Sequence, residues 1–317
     1  MLAFGPIPSR RLGRSLGINN IPPKVCSFNC VYCQVGTTSE MAIERRVFYP
    51  TGQIVEAVGA KVKDAHASGE QIDYLAFVPD GEPSLDINLG AHISALREFG
   101  IPVAVISNSS LIWREDVRTD LARADWVSLK VDSVREETWR KIDHPHRGLS
   151  LPAILDGARE FASVFSGKLV SETMLVAHLN DSEEEMDAVG AFLAQLQPAT
   201  AYLMIPTRPP AKDWVEFPDD AALVAAHRAL SLRFPRVELL TKYEGDAFAS
   251  LGDAGDALLG ILAVHPMRED AVLSFLARAG ADVTVLDQAL QKGLVAKTAY
   301  KGQAFYVRRR RKTPGET

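Results

Sequence analysis

The chain has 317 residues, 47% of them hydrophobic and 24% charged, enough apolar content to bury a large core and too much for a disordered polypeptide. No apolar run reaches the roughly 18 residues of a membrane span, and Met1 to Pro8 lacks the charged start and long apolar core of a signal peptide, so a cytoplasmic protein with no membrane partner is expected. A formal net charge of -5 excludes a surface that is basic throughout and confines any nucleic-acid contact to a local patch.

The segment from Gly5 to Asn20 is dense in glycine, proline and arginine and predicts a short strand over Ser15 to Asn19. Arg10, Arg11 and Arg14 read either as solvated loop residues or as an anion-binding lip for a phosphate or carboxylate. The next stretch, Lys24 to Gln34, holds every cysteine in the chain, Cys26, Cys30 and Cys33. Three thiolates spaced Cys-x3-Cys-x2-Cys can converge on one centre from a single loop and leave one position of the usual four open. A disulfide with one thiol left over, and a zinc site completed by His144, His146 or His178, are the other readings of the same residues.

Beyond the loop, helical and strand patterns alternate in the βα manner. Helices are predicted over 51–68, 87–99, 114–124, 151–165, 182–196 and 219–234, and strands over 73–78, 102–108, 126–132, 168–176, 201–206 and 237–242. About six or seven βα units predict an α/β partial barrel with the strand ends, and hence the chemistry, on one face. Pro79-Asp-Gly-Glu-Pro83 ends one strand, where Gly81 lets a backbone approach a ligand and a tight turn alone is the plainer reading. Ser107 and Asn108 end the next. Lys130 and Asp132, two residues apart, are expected to share the interior face, where a buried Lys and Asp need a ligand or a salt bridge. Lys130 then pairs with a carboxylate or, as a second option, forms a Schiff base; Glu172 is a similar candidate. The loop Asp143-His-Pro-His-Arg147 offers His144, His146 and Arg147 for positioning substrate or moving protons.

The composition changes near Gly245 to Gly255. The expected division is residues 1–250 as the barrel, 251–255 as a linker, 256–308 as a small winged-helix domain with a hairpin wing about Lys301-Gly302, and 309–317 as a basic tail. From residue 256 onward ten Lys and Arg stand against six Asp and Glu, so charge is segregated. Phosphate contacts suit that surplus, although the second helix carries Asp287 and Gln288 with only Lys292 basic, and such domains also hold peptides.

The cysteine spacing, Tyr32 just before the last cysteine and the Gly81-Glu82-Pro83 strand end resemble the signature of the radical S-adenosylmethionine (SAM) superfamily. The runs Pro8-Ser-Arg-Arg-Leu-Gly-x-Ser-Leu-Gly-Ile-Asn19, Pro22-Pro-Lys-x-Cys26 and Val31-Tyr-Cys-Gln34 resemble more narrowly its wyosine-base (tRNA imidazoguanosine) synthetase-like group. The resemblance implies a partial (β/α)6-type barrel and a 4Fe-4S cluster on Cys26, Cys30 and Cys33. Its fourth iron would hold SAM for reductive cleavage to a 5'-deoxyadenosyl radical. It implies Tyr32 and Met204 near adenine, the Gly81-Glu82 backbone at the SAM amino group, and Ser107 and Asn108 at the ribose or carboxylate. A flavodoxin or ferredoxin is the implied electron donor. The synthetases of that group use further N-terminal cysteines, and this chain has none beyond the three. Three functions follow: hydrogen abstraction in modification of a tRNA base, radical activation of a protein or peptide held by the winged helix, and an iron-sulfur nucleic-acid-binding sensor. For either enzyme Lys130, Asp132 and His144 are the expected catalytic residues.

Overall fold

A computed structural model describes residues 1–241, 248 and 253–309. It opens with β1 (Ala3–Ser9), β2 (Gly13–Ile18), and the two-residue strands β3 (Val25–Cys26) and β4 (Glu40–Met41). Then come α1 (Thr51–Ala67), β5 (Tyr74–Phe77), α2 (Leu89–Leu96), β6 (Val103–Ser107), α3 (Glu115–Leu121), β7 (Trp126–Lys130), α4 (Glu136–Asp143), α5 (Leu151–Val164) and β8 (Lys168–Met174). The sequence continues through α6 (Glu183–Leu196), β9 (Thr200–Met204), α7 (Asp220–Arg233) and β10 (Val237–Leu240). Last are α8 (Ala254–Val264), β11 (Met267–Arg268), α9 (Glu269–Arg278), α10 (Thr284–Gln291), β12 (Val295–Tyr300) and β13 (Gln303–Arg308).

The main sheet has eight strands in the order β1-β2-β5-β6-β7-β8-β9-β10. β1 is antiparallel to β2, and every other neighbouring pair is parallel. This is the predicted partial barrel, open between its two edge strands. Parallel strands sandwiched between side chains on both faces read as near-continuous apolar runs, which is why Tyr74–Phe77 and Val103–Ser107 were legible. Strand alternation divides those residues into two layers. Leu75, Phe77, Val103, Val105, Val127, Leu129 and Leu203 face the helices in the main core. Ala76, Ala104, Trp126, Val170 and Tyr202 face inward, where with Leu12 and Leu240 they close the bottom of the barrel. Inward positions further up the strands include Val78, Ile106, Lys130, Glu172, Met174 and Met204, and all six line one cavity. A period of two, started by the bulky Trp126 and Tyr202, thus delivers Lys130, Glu172 and Met204 to the open end.

Some elements depart from expectation. β7 ends at Lys130, so strand alternation does not carry Asp132 onto the interior face. β1 is an unforeseen edge strand, tolerant of Pro6 and Pro8 because edge positions need not donate to a ladder on both sides. α8 starts at Ala254, inside the expected 251–255 linker. Gln197, predicted just past a helix, is a left-handed cap to α6. The expected strand end at Lys242, residues 251 and 252, and most of the basic tail (310–317) lie outside the described residues.

The C-terminal elements form a second unit in the order helix, strand, helix, helix, strand, strand, with an antiparallel sheet β11-β13-β12. Its core of Leu258, Ile261, Leu262, Val272, Phe275 and Leu286 also takes in Phe4 and Ile7 from β1. Gly17 on β2 makes that possible, because a Cβ there would overlap the Phe4 ring. No helix among the described residues is long and apolar enough to cross a membrane.

Candidate active site

The loop carrying the cysteines is strapped to the end of α4. Asn29 N donates to Asp143 O at 3.0 Å and Val31 N to Ile142 O at 2.9 Å, while His146 N donates to Ser27 O at 2.9 Å. Phe28 packs edge-on against Trp139, with ring centroids 5.9 Å apart. Two tight turns, Cys33 N to Cys30 O and Gly36 N to Cys33 O, both 3.1 Å, fold the loop so that the sulfur-bearing residues share a wall. Cys26, Cys30 and Cys33 are free, half-buried thiols, which removes the disulfide reading. All three line the cavity of about 240 Å³ at the open end of the barrel.

Burial pushes the Cys26 thiol up to about 12, with Glu82 and Cys33 adding to the rise against a hydrogen bond from Phe28. Cys30 is also raised by burial and by the neighbouring Asp143, whose Oδ1 accepts its thiol proton at 3.2 Å. Thiols held protonated in this way must release their protons to solvent when they bind a metal, so metal loading and proton release are coupled. Among the described residues no three His, Cys, Asp or Glu side chains are placed to hold a single metal ion. None of His144, His146 and His178 lines the cavity. Three thiols around one cavity, without a fourth protein ligand, suit a cluster with an open iron better than a closed zinc site.

Opposite the cysteines stands the end of β5. A Cβ on Gly81 would overlap Val25 O and lie 2.8 Å from Ile21 Cδ1, so glycine is required there by the approach of the cysteine loop. Glu82 is buried, and its carboxylate accepts from Ser84 N (3.0 Å), Ser84 Oγ (2.5 Å), Ser107 Oγ (2.8 Å) and Asn108 N (2.7 Å). Burial raises its pKa against the pull of those donors. The carboxylate therefore acts as a bracket between the ends of β5 and β6, leaving the backbone of this turn toward the cavity. Asn108 in turn donates to Ser27 Oγ at 3.0 Å and reaches Cys26 Sγ at 3.5 Å. Gly81, Glu82, Ser107 and Asn108 all line the cavity, as does Met204.

The floor is charged. Lys130 Nζ sits 5.0 Å from the centroid of the Tyr32 ring. Burial acts to lower its pKa, but Asp132, Glu172 and their neighbours outweigh that and hold the amine above its ordinary value. A lysine kept cationic binds an anion; it is poorly suited to attack a carbonyl as a free amine. Glu172 accepts from Ser128 Oγ at 2.6 Å and forms an ion pair with Arg11. Burial would raise this carboxyl, yet Arg11 and Lys130 hold it below the usual carboxylate range. Arg10 lines the cavity with Arg11. Arg14, the third arginine of the expected lip, does not: it pairs with Glu70 at the far end of β2.

Asp132 is 2% exposed and lies behind the cavity rather than in it. It accepts the Tyr32 hydroxyl and, at 2.7 Å, Met174 N; Asp143 shares the tyrosine hydroxyl at 3.3 Å. Asp132 is thus placed to orient Tyr32, not to touch a ligand. His144 caps α4 in a left-handed conformation, is exposed and is absent from the cavity wall. It contributes its backbone carbonyl to Asn29 N.

Two residues that the sequence did not single out complete the wall. Lys24 is buried beside Cys33 and Asp80. Arg208, four residues past β9, donates to Gln34 Oε1 at 2.6 Å and to His265 Nε2 at 2.9 Å. His265 ends α8, and Tyr300 at the hairpin turn donates to Pro206 O at 3.1 Å. The C-terminal unit therefore reaches the rim of the cavity at two points.

A parallel partial barrel with three cysteines at the mouth, a glycine-glutamate strand end facing them and a cavity between defines a radical SAM protein. The family model described as the Radical SAM superfamily matches residues 20–190, more than half of the chain, and the chain belongs to that superfamily. It also belongs with the UPF0026 proteins: it is 42% identical over 309 residues to UPF0026 protein MJ1312 of Methanocaldococcus jannaschii, covering 97% of this chain and 96% of that one. Among solved structures, SuiB of Streptococcus suis bound to S-adenosylmethionine superposes with a TM-score of 0.52 at 13% identity, over 70% of this chain and 49% of that one. TYW1 with a lysine-pyruvate adduct bound gives 0.52 at 15% identity, over 69% and 73%. At such identities the likeness is one of fold. As a radical SAM enzyme the chain uses a 4Fe-4S cluster and SAM and requires a reductant. A cluster-based sensor without catalysis is set aside.

Proposed function

We propose that Cys26, Cys30 and Cys33 hold the cluster, that the Gly81 backbone, Ser107, Asn108, Met204 and the Tyr32 ring hold SAM, and that hydrogen is abstracted from a substrate anchored by an anionic group. The observation that carries this reading is a single cavity walled by the three thiols on one side and by Arg10, Arg11 and Lys130 on another. When bound, the cluster and SAM supply reductive cleavage to a 5'-deoxyadenosyl radical. The chain's own residues then have distinct work. Glu82 fixes the ends of β5 and β6, Asp132 and Asp143 fix Tyr32 through its hydroxyl, and Lys130 presents a fixed positive charge. Arg208, His265 and the Tyr300 turn narrow the mouth and keep water from the reacting centre. His144 has no part in this scheme, and Asp132 acts through Tyr32 and through the charge it helps hold on Lys130. A flavodoxin or ferredoxin is the donor class.

A nucleotide of tRNA is the substrate class we favour, because a phosphate suits the cationic floor and the C-terminal unit has the element order of a winged helix, with residues 256–308 as that domain. One observation favours a peptide instead: the hairpin cations are already engaged, Lys297 with Glu269 and Lys301 over the Phe217 ring at 3.7 Å. The test is anaerobic reconstitution with iron and sulfide, then SAM and dithionite, beside a Cys30→Ala control. 5'-Deoxyadenosine from the intact protein only is the expected result, and its stimulation by bulk tRNA or by a peptide pool separates the two substrates. A reconstituted cluster that neither binds nor cleaves SAM would overturn the reading.

A further inference from the structure

Lys24 is an unusual lysine. It is 2% exposed, its backbone is left-handed with φ 62°, and its ammonium lies 3.5 Å from Cys33 Sγ while donating to Gly36 O. A lysine charge removed from water is costly unless something compensates it. Asp80, 4% exposed, supplies a carboxylate oxygen 3.8 Å from Nζ. The two residues are joined through the backbone as well, by Lys24 N to Asp80 O at 2.5 Å. Asp80 stands just before Gly81, and Lys24 two residues before Cys26, so the pair joins the cysteine loop to the turn after β5 that packs against it.

We infer that Lys24 and Asp80 are a buried charge pair that sets the reduction potential of the cluster on the three cysteines. Lys24 is a positioning residue here: it touches a ligand sulfur and acts on the metal through it. The inference rests on the cluster assignment above. Reduction adds one electron, taken from the low-potential donor, and no proton, so the reduced cluster is more negative by one charge. A cation hydrogen-bonded to a ligand sulfur favours that form and raises the potential. A carboxylate beside the cation opposes it. The pair thus places a positive charge 3.5 Å from Cys33 Sγ with its counter-charge 3.8 Å from the amine, where burial limits screening by salt. The same pair fixes the height of the Asp80-Gly81 turn over Val25.

The experiment is a redox titration of the reconstituted protein followed by electron paramagnetic resonance. Wild type must first show the cluster's absorption and its reduced signal; failure there overturns the cluster assignment and this inference together. Lys24→Met is expected to lower the potential so that the reduced-to-oxidised ratio at fixed potential falls about tenfold, about 59 mV for a one-electron couple. Asp80→Asn is expected to raise it in the opposite sense. Lys24→Arg keeps the charge and should stay within about twofold of wild type in that ratio. A purely structural role predicts shifts of one sign in both charge-removing variants, or none, and either result refutes the inference. Should Lys24→Met lose the cluster, Lys24→Arg decides: cluster and potential retained support the charge, and cluster lost as well assigns Lys24 to shape alone and refutes it.

Discussion

Gly81→Ala is the most local test of the cavity's geometry. The added Cβ would overlap Val25 O, lie 2.8 Å from Ile21 Cδ1 and approach Val25 C at 3.1 Å. The isoleucine methyl can swing away, but the carbonyl cannot, because it accepts Glu82 N at 3.2 Å and is one residue from Cys26. Relief must come from separating the β5 turn from the cysteine loop, an overpacking cost of about 1–3 kcal/mol. If that cost falls on the SAM-competent arrangement, affinity drops by about five- to 140-fold, since about 1.4 kcal/mol is a factor of ten. Equilibrium binding of SAM to anaerobically reconstituted wild type and variant measures this, with a thermal melt of each. Binding within threefold of wild type together with an unchanged melting temperature would refute the claim that the two loops meet across this glycine.

The ion pair at the barrel floor gives a pH-dependent expectation. Arg11 and Lys130 hold Glu172 below its ordinary value, so its ionised form contributes stability above the unfolded carboxylate pKa of about 4.3, lost as the pH falls through the folded value. Glu172→Gln should destabilise by about 1.5–3 kcal/mol at pH 7, because the amide replaces a carboxylate paired with the half-buried Arg11 guanidinium. The gap from wild type should narrow between about pH 5 and pH 3 in urea titrations; parallel curves would contradict this. Arg208→Ala removes bonds to Gln34 and His265, a loss of about 1.5–3 kcal/mol. Faster proteolysis of the C-terminal unit, about tenfold or more, is the expected readout, and an unchanged cleavage rate would show that these bonds do not hold the rim.

How much of this the sequence could show follows from what each residue answers to. The parallel strands were legible because apolar runs of four or five residues are dictated locally. Lys130, Glu172 and Met204 came with them, since a period of two carries any inward residue up the same wall. Asp132 was misplaced for the same reason, as alternation was extended two residues past the strand's true end at Lys130. α4 was missed because only Trp139, Ile142 and Asp143 of its eight residues are buried and the rest of its turns are charged. With α4 unseen, Asp143 had no reason to stand out from His144, although Asp143 meets Cys30 and His144 faces solvent. Lys24 and Arg208 could not be given their roles from sequence, because the partners that define those roles lie 56 and 57 residues away in Asp80 and His265. Arg14 looked like Arg11 in sequence, and only the position of Glu70 separates them.

Phe4 and Ile7 belong to the first strand yet are buried by helices some 250 residues later in the chain. During synthesis, therefore, the barrel's edge emerges well before the elements that cover it. A ribosome-bound chain that has made all three cysteines and the strands around them still lacks α8 and the hairpin, so its edge is greasy and its mouth is wide. A chain at that stage exposes the apolar edge that those later elements cover.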